Sequence, residues 1–410
     1  MFAIRTMILI GLCLLAWVRP GPALAGEIGW QDQIRRLAPN GAVVLARPDG
    51  GVHFALNPDK PLNPASILKV FTAAAAFATL GPDYRFSTDF HLSSDGDLYV
   101  VGRGDPYLVS EELEAIAVRL KDLGLRRVNH LYLDNSYFPD GLVLHGTERT
   151  LNPYDAYNGA LCVNFNTVYA EVRSGGQVVT AEPQTPLTDL ARDMALKTRR
   201  QGKMRFNLSD RPETCLLYAG ELMRAFLEQA GIPVQNGLAS RRVDAGTAPL
   251  FYRRRSSKDL PWLVALIFKY SNNFMANQLF LTMGAERFGP PATPEKARKV
   301  MAGYLQSLGL RPPPYLEEGS GLSRRTRITA AQMIAVLRDF APHRDLLTEQ
   351  DPAWFKTGTL NDVKSLAGYL VARDNRELPF VVLLNGSGYT GRTRDRILHL
   401  LETELTQGSR

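Results

Sequence analysis

The chain predicts an α+β fold: a unit built from its two ends, with helices on both faces of an antiparallel sheet of about five strands, and an α/β unit inserted between them. Three observations predict it. Trp354–Thr359, Ser365–Arg373 and Leu378–Asn385 are successive apolar, strand-like segments closed by an amphipathic helix, Arg392–Leu405. Near the other end, Val43–Arg47 and Val52–Leu56 alternate about Asp49-Gly50-Gly51 and lead into an Ala-rich helix. The stretch between, Tyr84–Pro249, carries its own strands and helices.

Taken in order, a short amphipathic helix is expected near Glu27–Leu37, followed by that first hairpin. Asn63-Pro64 offers a cap and a first-turn proline for Ala65–Leu80. This helix is apolar on nearly every face, so it should be buried, and Gly81-Pro82 ends it. Phe86–Leu92 and Asp97–Val101 read as a second hairpin. Ser110–Leu123 is an amphipathic helix with Leu113, Ile116, Ala117 and Leu120 on one stripe, and Val128–Asp134 is a strand. Tyr169–Thr180 reads as a hairpin about Ser174-Gly175-Gly176, while Thr185–Asn207 is polar and weakly periodic. Tyr218–Ala230 is helical. From Leu260 the pattern is helix, a polar break at Ser271-Asn272-Asn273, and helix again. The division expected is 26–83 with 250–410 for the first unit, 84–170 with 212–249 for the insertion, and 171–211 as a reduced third domain or hairpin.

Residues 1–25 read as a secretory signal. Arg5 supplies a positive start, Met7–Trp17 an apolar run too short to span a bilayer, and Ala23-Leu24-Ala25 a cleavage site, so the mature chain is expected to start at Gly26. Leu12 before Cys13 argues against a lipid anchor, and no other stretch is long and apolar enough to cross a membrane. Without Arg5 and Arg19, 46 of the 48 basic residues remain against 41 acidic, a net +5 spread along the chain. Arg253-Arg254-Arg255 and Arg324-Arg325 read as solvated faces first and as attraction to an anionic polymer second, and nucleic acid is not an expected partner for an exported chain. Cys162 and Cys215 survive cleavage; they could pair in an oxidising compartment or be two unrelated buried thiols. The six histidines form no ligand cluster, so neither metal nor cofactor is expected, and no serine stands in a Gly-x-Ser-x-Gly elbow.

Three short motifs carry the chemistry: Ser66-Ile67-Leu68-Lys69, Ser271-Asn272-Asn273 and Lys356-Thr357-Gly358-Thr359. Each recurs by chance; their order, on helix, loop and strand, gives them weight. Residues three apart on a helix share a face, so the Lys69 amine can reach the Ser66 hydroxyl. Burial lowers an amine's pKa until it can act as the base that a serine nucleophile requires. The helix N-terminus behind Ser66 favours a developing oxyanion. Ser271 and Asn273 suit one wall of a cleft, the hydroxyl relaying a proton and the amide binding a peptide group. On the strand, Lys356 beside Thr357 and Thr359 suits a terminal carboxylate, and Gly358 lets backbone come close. The N–H of Thr359 would be a second oxyanion donor. An extended peptide would lie along the strand's free edge.

With these motifs the chain resembles the class C low-molecular-mass penicillin-binding proteins, the D-alanyl-D-alanine carboxypeptidase/endopeptidases. Asn63-Pro64-Ala65-Ser66, Gly81-Pro82-Asp83-Tyr84, Gly102–Pro106, Asp134-Asn135-Ser136-Tyr137-Phe138, Asn164-Phe165-Asn166-Thr167, Gly319-Ser320-Gly321-Leu322-Ser323 and Leu360–Tyr369 extend the likeness. The 205-residue gap from Ser66 to Ser271 also fits. The resemblance implies a transpeptidase-like unit, an exported, periplasmic serine peptidase, and peptidoglycan stem peptides and β-lactams as partners. It makes Ser66 the acylated nucleophile, Lys69 its base, Ser271 the relay and Asn273 a substrate contact, with Lys356, Thr357 and Thr359 on the terminal carboxylate. Asp134 would either read the substrate's diamino acid or cap a turn. A β-lactamase and a non-catalytic peptidoglycan-binding protein of the same fold are the alternatives. Two departures stand out: the span near Arg173–Arg211 is short for the family's third domain, and Glu318 stands where aspartate is usual.

Overall fold

A computed structural model describes residues 29–148, 150–208 and 211–407; the signal segment and Gly26 lie outside the described residues. The chain opens with helix α1 (Trp30–Leu37) and the hairpin β1 (Ala42–Ala46) and β2 (Val52–Leu56), then enters α2 (Leu68–Leu80) through a 3-10 turn at Ala65–Ile67. The inserted stretch supplies β3 (Ser87–Leu92), β4 (Leu98–Gly102), α3 (Ser110–Asp122), β5 (Leu131–Asp134), β6 (Thr167–Val172), β7 (Val178–Thr180), α4 (Asp189–Lys197) and β8 (Gly202–Asn207). It continues through α5 (Pro212–Gln229), β9 (Leu238–Ser240) and β10 (Leu250–Arg255). Helices α6 (Leu260–Tyr270), α7 (Asn273–Phe288), α8 (Pro294–Ser307) and α9 (Ala330–Phe340) follow. Strands β11 (Thr348–Gln350), β12 (Ala353–Leu360), β13 (Val363–Val371) and β14 (Glu377–Asn385) and helix α10 (Gly391–Gln407) complete the chain.

The two ends share one antiparallel sheet, ordered β11-β12-β13-β14-β1-β2. Its strands alternate between two cores, as a period of two requires. Val43, Leu45, Phe380, Val382 and Leu384 face α1 and α10, packing with Ile34, Ile397 and Leu401. Val44, Ala46, Val381 and Leu383 face the other way, against α2, α7 and α9. Six strands stand where about five were expected. The extra one, β11, is three exposed polar residues with no apolar alternation to reveal it.

In the insertion the mixed sheet runs β10-β3-β4-β5-β9, with α3 and α5 packed on one face. Strand β10 moves the expected boundary at residue 250, because Leu250–Arg255 pairs with β3 and belongs to this sheet. The pairing also corrects the reading of Arg253-Arg254-Arg255 as a solvated face. Arg253 binds the buried Asp89 carboxylate at 2.6 and 2.8 Å, and Arg254 is buried against Glu112 and Asp105. The weakly periodic stretch after Thr185 holds α4 and β8. Strand β8 joins β6 and β7 in a three-stranded sheet, order β7-β6-β8, on which α4 packs and whose Val168, Ala170, Val172 and Phe206 join the same core as α3 and α5.

Candidate active site

The crevice is assembled around a tight turn. Asn63 accepts from Ala65 N–H at 2.9 Å and donates to Ser323 O at 2.9 Å, while its backbone N–H and C=O pair with the Asn385 amide. This buried side chain pins Ala65, a non-glycine residue at φ +49, so that Ser66 leaves the turn at the entrance to α2. Two glycines make room for the turn. A Cβ on Gly321 (φ +88) would stand 1.9 Å from Ala65 O. One on Gly358 would stand 2.2 Å from Ser365 Oγ, 2.8 Å from Pro64 O and 3.0 Å from Ser66 N, so β12 passes directly beside the turn.

Lys69 is the second residue of α2 and is 1% exposed. Its Nζ donates to Ser66 Oγ at 3.0 Å, Asn273 Oδ1 at 2.8 Å and Ser320 O at 2.7 Å, one acceptor for each ammonium proton. Burial, reinforced by the nearby Lys356 cation and opposed by Glu318, lowers its pKa to about 7. An amine poised there holds or releases a proton readily near neutrality.

Glu318 supports the third acceptor. Its buried carboxylate takes the N–H groups of Ser320 and Gly321 at 2.7 Å, that of Ser323 at 3.3 Å and the Ser320 hydroxyl at 2.5 Å. The loop wraps around it and turns Ser320 O toward Lys69 and Gly319 O toward Thr72. Sequence reasoning saw Glu318 only as a departure from a pattern. The signal available was an acid followed at once by Gly-Ser-Gly, a loop able to fold onto a carboxylate.

Ser271 and Asn273 sit where α6 gives way to α7. Ser271 ends α6 in the left-handed conformation (φ 51, ψ 36), and Asn272 caps α7 by accepting from Met275 N–H. Ser271 is half-buried on this turn, two residues before Asn273. On β12, Lys356 is buried, with its Nζ donating to Thr357 O at 2.8 Å. Its pKa falls to about 8, chiefly through burial and then through Arg394. Thr357 is half-buried and Thr359 exposed. Strand β11 covers β12 only at Ala353–Phe355, so among the described residues no strand pairs with the Lys356–Leu360 edge on that side.

Two pairs of alternatives are decided by the structure. Asp134 is buried and accepts from Ser136 N–H and Val243 N–H, both at 2.8 Å. Each oxygen thus accepts one backbone N–H, which makes this buried carboxylate a turn cap, the second of its two expected roles. Cys162 and Cys215 form no disulfide. Both are buried; the Cys162 thiol donates to Gly159 O, accepts from Asn166, and is pushed up to about 12 by burial. The insertion meets the crevice instead through the segment around Tyr154, whose carbonyl faces the Asn273 amide at 3.4 Å. Among the described residues no group of three or more His, Cys, Asp or Glu is placed to hold a metal ion.

The D-Ala-D-Ala carboxypeptidase 3 (S13) family model matches residues 33–203 and 200–352. The chain belongs to this family. A D-alanyl-D-alanine carboxypeptidase from Actinomadura sp. is 27% identical, over 87% of this chain and 79% of that protein. The D-alanyl-D-alanine carboxypeptidase DacB of Haemophilus influenzae is also 27% identical, over 78% and 80%. Penicillin-binding protein 4 from Haemophilus influenzae, a solved structure, superposes with a TM-score of 0.72 at 22% identity, covering 92% of this chain and 98% of that one. A predatory endopeptidase from Bdellovibrio bacteriovorus superposes at 0.53, with 16% identity over 89% and 92%. The class C assignment and the α+β fold expected from the motifs therefore hold for this member of the D-Ala-D-Ala carboxypeptidase 3 family. No helix among its described residues is long and apolar enough to cross a membrane.

Proposed function

We propose that this family member is a serine DD-peptidase of the cell wall, cleaving acyl-D-Ala-D-Ala ends of peptidoglycan stem peptides through an acyl-enzyme on Ser66. The observation that carries the reading is the Lys69 amine, 3.0 Å from Ser66 Oγ, buried, and able to lose its proton near neutral pH. Neutral Lys69 takes the hydroxyl proton as Oγ adds to the scissile carbonyl. The backbone N–H groups of Ser66 and Thr359 receive the oxyanion. As the tetrahedral adduct collapses, the C–N bond breaks and the proton passes through Ser271 to the departing amine, leaving an ester on Ser66. Water then cleaves that ester, restoring the hydroxyl and releasing the shortened peptide.

Asn273 would bind a substrate amide, and Lys356 with Thr357 and Thr359 the terminal carboxylate, as the peptide extends along the uncovered edge of β12. Gly358 keeps that strand close to the turn. The same site would accept a β-lactam, whose strained amide stands in for the D-Ala-D-Ala bond. A β-lactam complex is known for Haemophilus influenzae penicillin-binding protein 4. Cross-links between D-Ala and diaminopimelate are the second substrate class, which the endopeptidase fold neighbour makes worth testing. The export signal would place the mature enzyme in the periplasm. Release of free D-alanine from a diacyl-L-Lys-D-Ala-D-Ala tripeptide tests the proposal. The wild-type chain should release it and Ser66→Ala should not; equal release from both would overturn it.

A further inference from the structure

We infer that Asn158 and Gln278 are positioning residues through which the inserted unit holds the Lys69 amine in register, so that the insertion is part of the catalytic device. The inference rests on the reading of Lys69 as the base that activates Ser66.

Of the three acceptors around Lys69 Nζ, two depend on α7. Asn273, its first residue, accepts directly. Four residues on, and so on the same face, Asn277 Oδ1 accepts from Gly319 N–H at 2.8 Å and holds the loop that presents Ser320 O. Helix α7 packs on α2 and α8 within the catalytic unit, and the insertion adds a polar clamp at its start. Asn158 donates from one amide nitrogen to Phe274 O and to Gln278 Oε1, both at 3.0 Å. Gln278, fully buried, donates from Nε2 to Gly159 O at 2.9 Å and Gly104 O at 3.2 Å. Two loops of the insertion, around Gly104 and around Asn158, therefore clamp the first turn and a half of α7.

The junction is polar where packing alone would call for apolar side chains. Leaving a buried amide or carbonyl unpaired is costly, so this network has one satisfied arrangement, and that arrangement sets where Asn273 stands. The consequence is steep, because a shift of about 1 Å at reacting groups can cost on the order of a hundredfold in rate.

The test is acylation by a chromogenic cephalosporin, with rates expressed per titrated active site and followed against pH, alongside thermal melting. Asn158→Ala is the first variant. Gln278→Ala attacks the same junction from the helix side should the first not fold. Leu222→Ala, in the insertion's core away from α7, is the control. Once Asn273 is loosened, the Lys69 ammonium has one acceptor fewer, which disfavours its charged form. Lys356 from β12 and Glu318 from the loop beside it still face the amine. Both junction variants should acylate about tenfold more slowly, with the acid limb moved to lower pH, whereas Leu222→Ala should melt earlier with its rate and limb unmoved. A wild-type rate and an unmoved limb in a folded junction variant, while the native chain is acylated normally, would overturn this inference alone. A native chain that is never acylated would overturn the serine-peptidase reading as well.

Discussion

At Lys69 the fold holds a basic side chain where burial works against its charge. Three acceptors favour the ammonium, whereas desolvation and Lys356 disfavour it, and the balance lies at about 7. Acylation should therefore fall as pH drops below about 7, because the amine then keeps its proton. Lys356 loses its charge near 8, which sets an alkaline limb for substrates bearing a terminal carboxylate. A bell with limbs close to those values is expected. Lys356→Arg keeps the cation at all relevant pH, so its alkaline limb should vanish from a kcat/KM profile; a limb still present near 8 would assign it elsewhere. Lys69→Arg keeps the charge on a somewhat larger side chain but cannot give up a proton. Acylation should drop at least 10³-fold while the fold remains, which rapid-quench measurement with circular dichroism would check.

Strand β12 brings the site together by passing within contact of the turn before α2. Two features allow this: Gly358 has no side chain, and Ser365 on β13 donates to Pro64 O at 2.6 Å. Gly358→Ala would set a methyl against the backbone at Pro64 and Ser66 and push the strand outward. A stability loss of about 1–3 kcal/mol is expected in urea titration, with acylation slowed about a hundredfold. Unchanged acylation would mean that β12 need not approach so closely. Most of these elements were legible in the sequence because their signals are local. The short apolar runs of β13 and β14 and the apolar faces of α2 announce strand and buried helix without further context. The 3-10 turn under Ser66 looks like ordinary helix in the sequence, because Asn63, whose side chain pins Ala65, is itself held by residues 260 and 322 positions away.

For the whole molecule, the insertion is welded to the catalytic unit. Tyr137, Phe138, Leu142, Leu144, Ala156, Ala160 and Cys162 of the insertion join the core of α2, α7 and α9. Phe138→Ala should cost about 3–5 kcal/mol and lower the unfolding transition of the catalytic unit with that of the insertion. Two separate transitions, with only one of them moved, would show the units to be independent. The sequence showed that a middle unit exists. It did not reveal where that unit docks, because the docking groups are single side chains such as Asn158 and Gln278, which carry no periodicity. For the same reason Asp134 was a candidate substrate reader: a carboxylate beside a turn looks alike in sequence whether its oxygens meet a ligand or backbone amides.

Mass spectrometry of the intact protein after exposure to penicillin tests the central claim most directly. A gain of one drug mass is predicted, mapped by peptide digestion to the segment containing Ser66 and absent from Ser66→Ala. No adduct on a folded native chain, or an adduct on any other residue, would contradict it.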